Sequence, residues 1–462
     1  MKLRPYQTPM VAIGAEFFRT PNIKPGIIVA PTAAGKSIII AFIVKELKEK
    51  VLVIQPSKEL LEQNYEKFTT LGGEASIYSA SMGEKEIGDV TYATIGSIIK
   101  IAHRFRSLGI TKVIIDECDR YPRNPTGMLR RFIDASRVTH VLGLTATPLK
   151  LQTNMGDDGP FSKLVMLTNR SAKGTFFKHI LYVSQIQDIV KLNYWTPLVY
   201  QSYEFDSGKL VYNSTKADYT NKSMEKAYEH QNIETKIVKK AKELSDRKSI
   251  LIAVPTVAQA TRLAGLIPDA AVVHGETKKK ERDRVITEFK SQRIRVVVQV
   301  NVLTVGFDYP QLDCVITGRP TSSITWWYQL VGRGTRIHDD KENCMVVDFV
   351  GSVQRFGKVE ELYYAETDER WELYGSGKKQ ITGLPMHEIG LFLEDGTDLG
   401  EIITEDGDIE KVYMTFGSHK TKEVRSLPLY YRDWLLNNIT WGPWNMKIKN
   451  EILRLKSIQE IS

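Results

Sequence analysis

The run Gly26-Ile27-Ile28-Val29 leads into Ala30-Pro31-Thr32-Ala33-Ala34-Gly35-Lys36-Ser37 and leaves through Ile38-Ile39-Ile40-Ala41-Phe42. An apolar run, a small-residue loop and a second apolar run predict strand, loop and helix. This arrangement restricts the fold, because the backbone N–H groups of such a loop close around a polyphosphate at a helix N-terminus. Thr32, Ala33, Ala34 and Gly35 would form the cradle, Lys36 would reach the terminal phosphates, and the Ser37 hydroxyl would help hold Mg²⁺.

The pattern around the loop repeats its grammar. Val51-Leu52-Val53-Ile54, Val90-Thr91-Tyr92-Ala93-Thr94, Lys112-Val113-Ile114-Ile115 and Val141-Leu142-Gly143-Leu144 read as strands separated by helical stretches. Buried strands alternating with helices predict an α/β fold with a parallel sheet covered on both faces. Asp116 and Glu117 follow the third of these strands at once, about 80 residues after the loop. Two carboxylates at the C-terminal edge of a parallel sheet lie where such folds place ligands, so that one can enter a Mg²⁺ shell while the next polarises a water. Thr145-Ala146-Thr147-Pro148 ends the next strand with two hydroxyls and a proline stop.

Between Leu149 and about Lys248 the pattern is less regular, with a Gly/Asp turn at Gly156-Asp157-Asp158-Gly159 and one long polar helix expected from Asn221 to Leu244. Alternation then resumes through Ile250–Val254, Ala271–Val273, Val296–Val298, Cys314–Ile316 and Met345–Val347, without a second phosphate loop. This second sheet domain contributes Gln329-Leu330-Val331-Gly332-Arg333-Gly334-Thr335-Arg336, whose two arginines could reach a phosphate presented by the first.

Charge is unevenly spread. The 462 residues carry a net +8, yet Glu361 to Glu410 hold 14 acidic and 3 basic side chains, leaving +19 for the remainder, a balance that suits a polyanionic partner. No apolar run approaches a membrane span and the N-terminus lacks a signal-peptide core, so no membrane partner is expected and a cytoplasmic location is the default. Cys118, Cys314 and Cys344 are far apart and form no metal or disulfide pattern.

In their order, these motifs resemble the core of superfamily 2 helicases and translocases over residues 1 to about 355. The resemblance implies two tandem RecA-like parallel-sheet domains, use of ATP with Mg²⁺, and a nucleic-acid track, in a protein expected to be monomeric. On it, Gln7 resembles the adenine-reading glutamine, Lys36 and Ser37 the phosphate and Mg²⁺ residues, Asp116 the metal ligand and Glu117 the catalytic base. Thr145, Thr147 and Gln329 fall in coupling motifs, and Arg333 and Arg336 match arginine fingers. Thr304, Gly306 and Asp308 lie in a motif touching nucleic acid and nucleotide, while Pro56, Ser57, Lys58, Thr94, His274 and Gly275 fall where family members grip the sugar–phosphate backbone. Ala33-Ala34 departs from the glycine common in relatives, and Val305 replaces an expected acidic residue.

The wording of the motifs is most similar to phage UvsW-type branch-migration DNA helicases, and also to RadD and restriction translocases. The function this implies is ATP-dependent translocation on forked or four-way-junction DNA in replication, recombination or repair, with host-cell cytoplasm as the location if the protein is viral. An ATP-controlled clamp or annealing factor and an RNA helicase remain as alternatives. The expected divisions are 1–150 for the ATP-binding domain, 151–248 for a linker and the start of domain 2, and 249–360 for the rest of domain 2. A β-rich acidic connector with a small antiparallel meander is expected over 361–410, followed by a small α+β module over 411–462 that resembles an FGKxKG-type appendage. That module, with 9 basic and 4 acidic side chains and Trp434, Trp441 and Trp444, is read either as a DNA contact that helps select branched substrates or as a cap with core tryptophans. Lys36→Ala is expected to abolish ATP hydrolysis with the fold intact, which circular dichroism and a turnover assay check together.

Overall fold

The structure is a computed structural model describing residues 2–121, 127–170, 172, 174–302, 307–368, 370–389 and 401–403, with 414, 424, 427–439, 448–449, 451–453 and 456 of the C-terminal part. Its first half supplies β1 (Gly26–Val29), β2 (Val51–Gln55), β3 (Ser76–Ser79), β4 (Glu84–Lys85), β5 (Val90–Thr94), β6 (Lys112–Asp116), β7 (His140–Thr145), β8 (Leu149–Gly156), β9 (Gly159–Met166) and β10 (His179–Val183). All but β8 and β9 make one eight-stranded sheet of order β10-β1-β7-β6-β2-β5-β3-β4, parallel except for β4 at its edge. The first sheet thus draws on chain well past residue 150. Strand β10 returns to pair with β1, after the β8–β9 hairpin whose turn is the Gly/Asp stretch.

Strands β1, β2 and β6 are buried along their whole length, as their unbroken apolar runs require once helices cover both faces. The helix Lys36–Leu47 starts from Gly35 in a left-handed conformation (φ 80°), and it buries Ile39, Ile40, Ile43, Val44 and Leu47 against the sheet. Three adjacent isoleucines are poor helix formers, so this helix is held by packing more than by propensity.

The second half adds β11 (Leu198–Tyr203), β12 (Ile250–Ala253), β13 (Ala270–His274), β14 (Val296–Val300), β15 (Cys314–Thr317), β16 (Cys344–Asp348), β17 (Tyr363–Thr367), β18 (Arg370–Tyr374) and β19 (Glu401–Ile403). Seven of these form a second parallel sheet of order β13-β14-β12-β15-β16-β11-β19. The two parallel sheets bear out the α/β reading. The long helix expected from Asn221 to Leu244 is instead two, Asn221–His230 and Ile233–Glu243, broken where Asn232 turns left-handed at φ 52°. Part of the antiparallel meander expected over 361–410, including residues 390–400 and 404–410, lies outside the described residues. Its described part gives one antiparallel hairpin, β17–β18, while β19 runs parallel to β11 at the edge of the second sheet.

The hairpin and the chain after it reach back to the first sheet. Gln185 and Tyr364 exchange reciprocal bonds (Gln185 Nε2 to the Tyr364 carbonyl 2.6 Å, Tyr364 N to Gln185 Oε1 3.1 Å), and Gln187 donates to the Glu360 carbonyl at 2.9 Å. One apolar cluster consequently runs from Met10 and Ile39 through Trp195 and Trp327 to Leu373 and Met386.

Helix Ile324–Val331 carries the arginine motif at its end, and its entry is fixed by Asp218. That carboxylate accepts from Arg319 Nη2 (3.1 Å), Ser322 N (2.8 Å) and Thr321 Oγ1 (3.3 Å), and Ser323 caps the helix by accepting from Trp326 N at 3.3 Å. Asp218→Ala would leave the buried Arg319 guanidinium without its carboxylate. It is expected to cost about 2–3 kcal/mol, discounted for Asp218's partial exposure and measured by urea denaturation.

Candidate functional site

Strands β1, β7 and β6 are neighbours, so their C-terminal ends bring the phosphate loop, Thr145 and Asp116 to one edge; Ala30 N donates to the Thr145 carbonyl at 3.0 Å. Within the loop Ala33 sits at φ 64°, a region where L-residues other than glycine are rare. The alanine in place of glycine is therefore a real departure that stores strain on the order of 1 kcal/mol. At Gly35 an added Cβ would lie 2.6 Å from Gln7 Nε2. Gln7 is 1% exposed and braces the loop, with Nε2 donating to the Ala34 carbonyl (2.8 Å) and Oε1 accepting from Arg4 N (2.9 Å).

Lys36 Nζ lies 3.2 Å from Glu117 Oε1, so cation and base meet across the mouth of the loop. Glu117 is itself left-handed at φ 44°. Asp116 is 2% exposed and accepts from Asn64 Nδ2 and Glu117 N, both at 3.0 Å. Burial first, and the Glu117 carboxylate second, push its pKa up to about 7, against the opposing pull of Lys36. The buried Asp116 oxygens and the Ser37 hydroxyl on the same cleft are hard oxygen donors of the kind Mg²⁺ takes alongside phosphate oxygens, so the residues present fit that ion.

Three residues after Asp116, Asp119 accepts from Thr145 Oγ1 (2.6 Å) and Thr147 Oγ1 (3.3 Å), which ties both threonines to the acidic segment. Burial, then the Glu117 charge, raise Asp119 to about 6. Ala146 between the threonines accepts at its carbonyl from Tyr364 Oη at 3.3 Å.

The second domain closes the cleft. Arg333 and Arg336 line it together with Arg4, Gln7, Lys36, Ser37, Gln63, Asp116, Glu117 and Asp308, around an open volume of about 1080 Å³. Arg333 Nη1 donates to the Phe307 carbonyl at 2.9 Å, and Arg336 Nε lies 2.9 Å from Asp308 Oδ1. Burial and then the neighbouring Arg336 push Arg333 down to about 9, still charged at neutral pH. Asp308 also accepts from Gln63 Nε2 of the first domain at 3.2 Å. Gln329 is half-buried on the arginine-motif helix, while Thr304, Val305 and Gly306 lie outside the described residues.

Two contacts were invisible in the sequence. Thr32 N donates to the Tyr328 hydroxyl across the domains at 3.0 Å, and a Cβ at Gly332 would meet Thr32 Oγ1 at 2.4 Å. The glycine of the arginine motif thus permits the loop's close approach. Lys341 Nζ donates to the carbonyls of Pro310, Leu312 and Gly334 (2.7, 3.1 and 3.0 Å) and fixes the loop between the two arginines. Apolar neighbours gave no sign of Asn64 or Tyr328, and Asp119 stands close behind the acid pair Asp116-Glu117 without a role that spacing alone assigns.

The backbone-grip candidates lie at strand ends outside this cleft. Ser57 caps helix Lys58–Thr70 by accepting from Leu60 N (3.3 Å), Lys58 Nζ pairs with Glu62 at 3.2 Å, and Thr94 shares a hydrogen bond with Ser97 at 2.9 Å. Pro56 and His274 are half-buried and Gly275 is exposed.

Asp116 yields a prediction with a definite sign. Its proton is held more tightly in the folded chain, at about 7 against an ordinary 3.8, so stability falls as pH rises through that window. Asp116→Asn, whose oxygen can still accept from Asn64, is expected to raise Tm by a few degrees at pH 8 in metal-free buffer. The gain should shrink toward pH 5, and ATP hydrolysis should be lost; thermal melts across pH and a turnover assay check both.

Residues 1–150 match the family described as Type III restriction enzyme, res subunit, and residues 232–338 match the Helicase conserved C-terminal domain. The chain is 24% identical over 372 residues to a Saccharomyces cerevisiae protein named as an ATP-dependent helicase, IRC3, a match covering 76% of this chain and 52% of that one. It therefore spans about half the length of that relative. In fold it is similar to a fragment described as an HsdR subunit of a type I restriction enzyme from Vibrio vulnificus (TM-score 0.57, 19% identity, 88% of this chain and 69% of that one). It is also similar to the ATP-dependent Type ISP restriction-modification enzyme LlaBIII bound to DNA (TM-score 0.54, 16% identity, 76% of this chain and 28% of that one). The two sides of the cleft thus carry, in the expected order, a match to the res subunit of Type III restriction enzymes and a match to the Helicase conserved C-terminal domain.

Proposed function

We propose that this chain is a DNA motor that hydrolyses ATP in the cleft between its two sheets and drives branch migration or fork remodelling. The observation that carries the reading is the convergence of Lys36, Asp116 and Glu117 from one sheet with Arg333 and Arg336 from the other around one cleft. Nucleotide turnover there depends on the relative position of the domains, which is what a motor needs. The choice of DNA rests on the motif wording and on the DNA-bound restriction enzyme of similar fold.

Each chemical role follows from a contact. A phosphate oxygen that draws Lys36 away from Glu117 frees that carboxylate to take a proton from the attacking water. Mg²⁺, when held by Ser37 and Asp116, supplies charge that stabilises the phosphate oxygens. Arg336 must exchange its Asp308 partner for phosphate, and Asp308 is also held by Gln63, so that exchange loosens a contact between the domains. Thr145 and Thr147, tied to Asp119, carry changes at Glu117 toward the β8–β9 side of the sheet. Phosphate also competes with Tyr328 for the Thr32 N–H, a second link between loop and domain position.

Branch migration suits such a motor, because each broken base-pair step of about 1.4 kcal/mol is replaced by one of similar stability. ATP then supplies direction and passage over local barriers. ATP turnover and strand products, measured in parallel on fork, four-way junction and linear duplex, test the reading. Turnover stimulated by branched DNA with exchanged strands is expected. Stimulation without strand movement would favour a clamp or annealing factor, and stimulation by RNA alone an RNA remodeller. Arg336→Ala is expected to lower kcat by about 10³ with ATP affinity nearly unchanged.

A further inference from the structure

Among the described residues, Tyr430 and Trp434 are the only exposed aromatic side chains, at 73% and 48%, and they stand four apart on helix Leu429–Asn438. Every other described Phe, Tyr and Trp is buried or half-buried. The helix is seated on its other side by a small core of Met414, Val424, Leu427, Leu435, Ile448 and Ile452, so Trp434 is not the core tryptophan that a simple cap would hold. We propose that Tyr430 and Trp434 form a stacking site for unpaired bases of a DNA strand.

Residues four apart on a helix have Cβ atoms about 5–6 Å apart, so the two rings share one face and can serve neighbouring or sandwiched bases. Trp434 is preset, because the Tyr431 ring lies nearly parallel to it with centroids 5.7 Å apart and planes 13° apart. Rings held in advance lose little freedom on stacking. The surrounding charge does not repel a polyanion. Asp433 beside the indole is paired with Lys456 at 3.2 Å, and residues 411–462 hold 9 basic against 4 acidic side chains. The exposed face is aromatic and amide, with Asn437 and Asn438 exposed, whereas Leu435 is buried and Leu436 and Ile439 are half-buried. A base needs a π-face and permits any sequence, and two exposed rings flanked by amides on a basic module supply that face.

This inference rests on the DNA reading above and places on the tail a contact with bases, which phosphate grips on the two sheet domains would not supply. The test uses the full chain with Tyr430→Ser, Trp434→Ser and their combination, with Tyr430→Phe and Trp434→Phe as ring-retaining controls. Affinities for oligothymidylate and for an abasic deoxyribose-phosphate strand of equal length are measured across a salt series. Each serine variant is expected to weaken oligothymidylate binding about 5- to 100-fold while leaving abasic affinity and the salt slope unchanged, and the phenylalanine variants are expected to retain binding. Equal losses on both strands would overturn the proposal in favour of a backbone contact or a structural role. No loss on either, accompanied by loss of a self-associated form in sedimentation, would overturn it in favour of a protein interface. Strand-stimulated ATP turnover of the unaltered chain reads the motor separately: its absence would sink the motor while the stacking measurement stands.

Discussion

Ala30 donates its backbone N–H to the Thr145 carbonyl, and the site depends on that ladder step more than on any side chain. It makes β7 the neighbour of β1, while β6 lies on the other side of β7, so three chain segments far apart in sequence end at one sheet edge. The phosphate loop, the threonine pair and the acid pair then need no loops of special length to meet. They are in register because parallel strands are, and a register shift in β7 would separate Thr145 from both the loop and Asp119.

Concentrating function at a buried edge has an energetic consequence. Asp116 and Asp119 are carboxylates whose protonation the fold favours, and Arg333 is a guanidinium whose charge it disfavours. Each is less stable ionised here than in water, so a cation beside the carboxylates and a phosphate beside the guanidinium would each offset a charge that the fold disfavours. Glu117 and Ala33 add backbone strain at the same edge. These buried charges and strained residues sit beside an apolar cluster that continues across both sheets.

The parallel sheets, and the candidate residues that the fold gathers at one cleft, were legible in the sequence because unbroken apolar runs and motif spacing are local signals. Lys36, Asp116, Glu117, Arg333 and Arg336 are found around one cleft on that basis. What was not legible depends on chain folding back from a distance. Strand β10 rejoins the first sheet after an intervening hairpin, and β19 joins the second as a parallel edge beside β11. Periodicity announces a strand without naming its neighbour. Nothing local marks Tyr328, yet its hydroxyl reaches the phosphate loop 296 residues earlier.

That distance explains how two sheets can act as one machine. Two polar links join the domains at the cleft among the described residues, Tyr328 to Thr32 and Gln63 to Asp308, beside the apolar packing of Ile324 and Trp327. Polar links of this kind each contribute about 1 kcal/mol, and a bound phosphate can replace them without exposing apolar surface. By contrast the β17–β18 hairpin binds Gln185 and the Ala146 carbonyl behind the cleft and buries Leu373 there. Contacts that phosphate can exchange thus lie at the front of the loop, while the contact of the hairpin with the Ala146 carbonyl, between the two threonines held by Asp119, is backed by buried apolar surface.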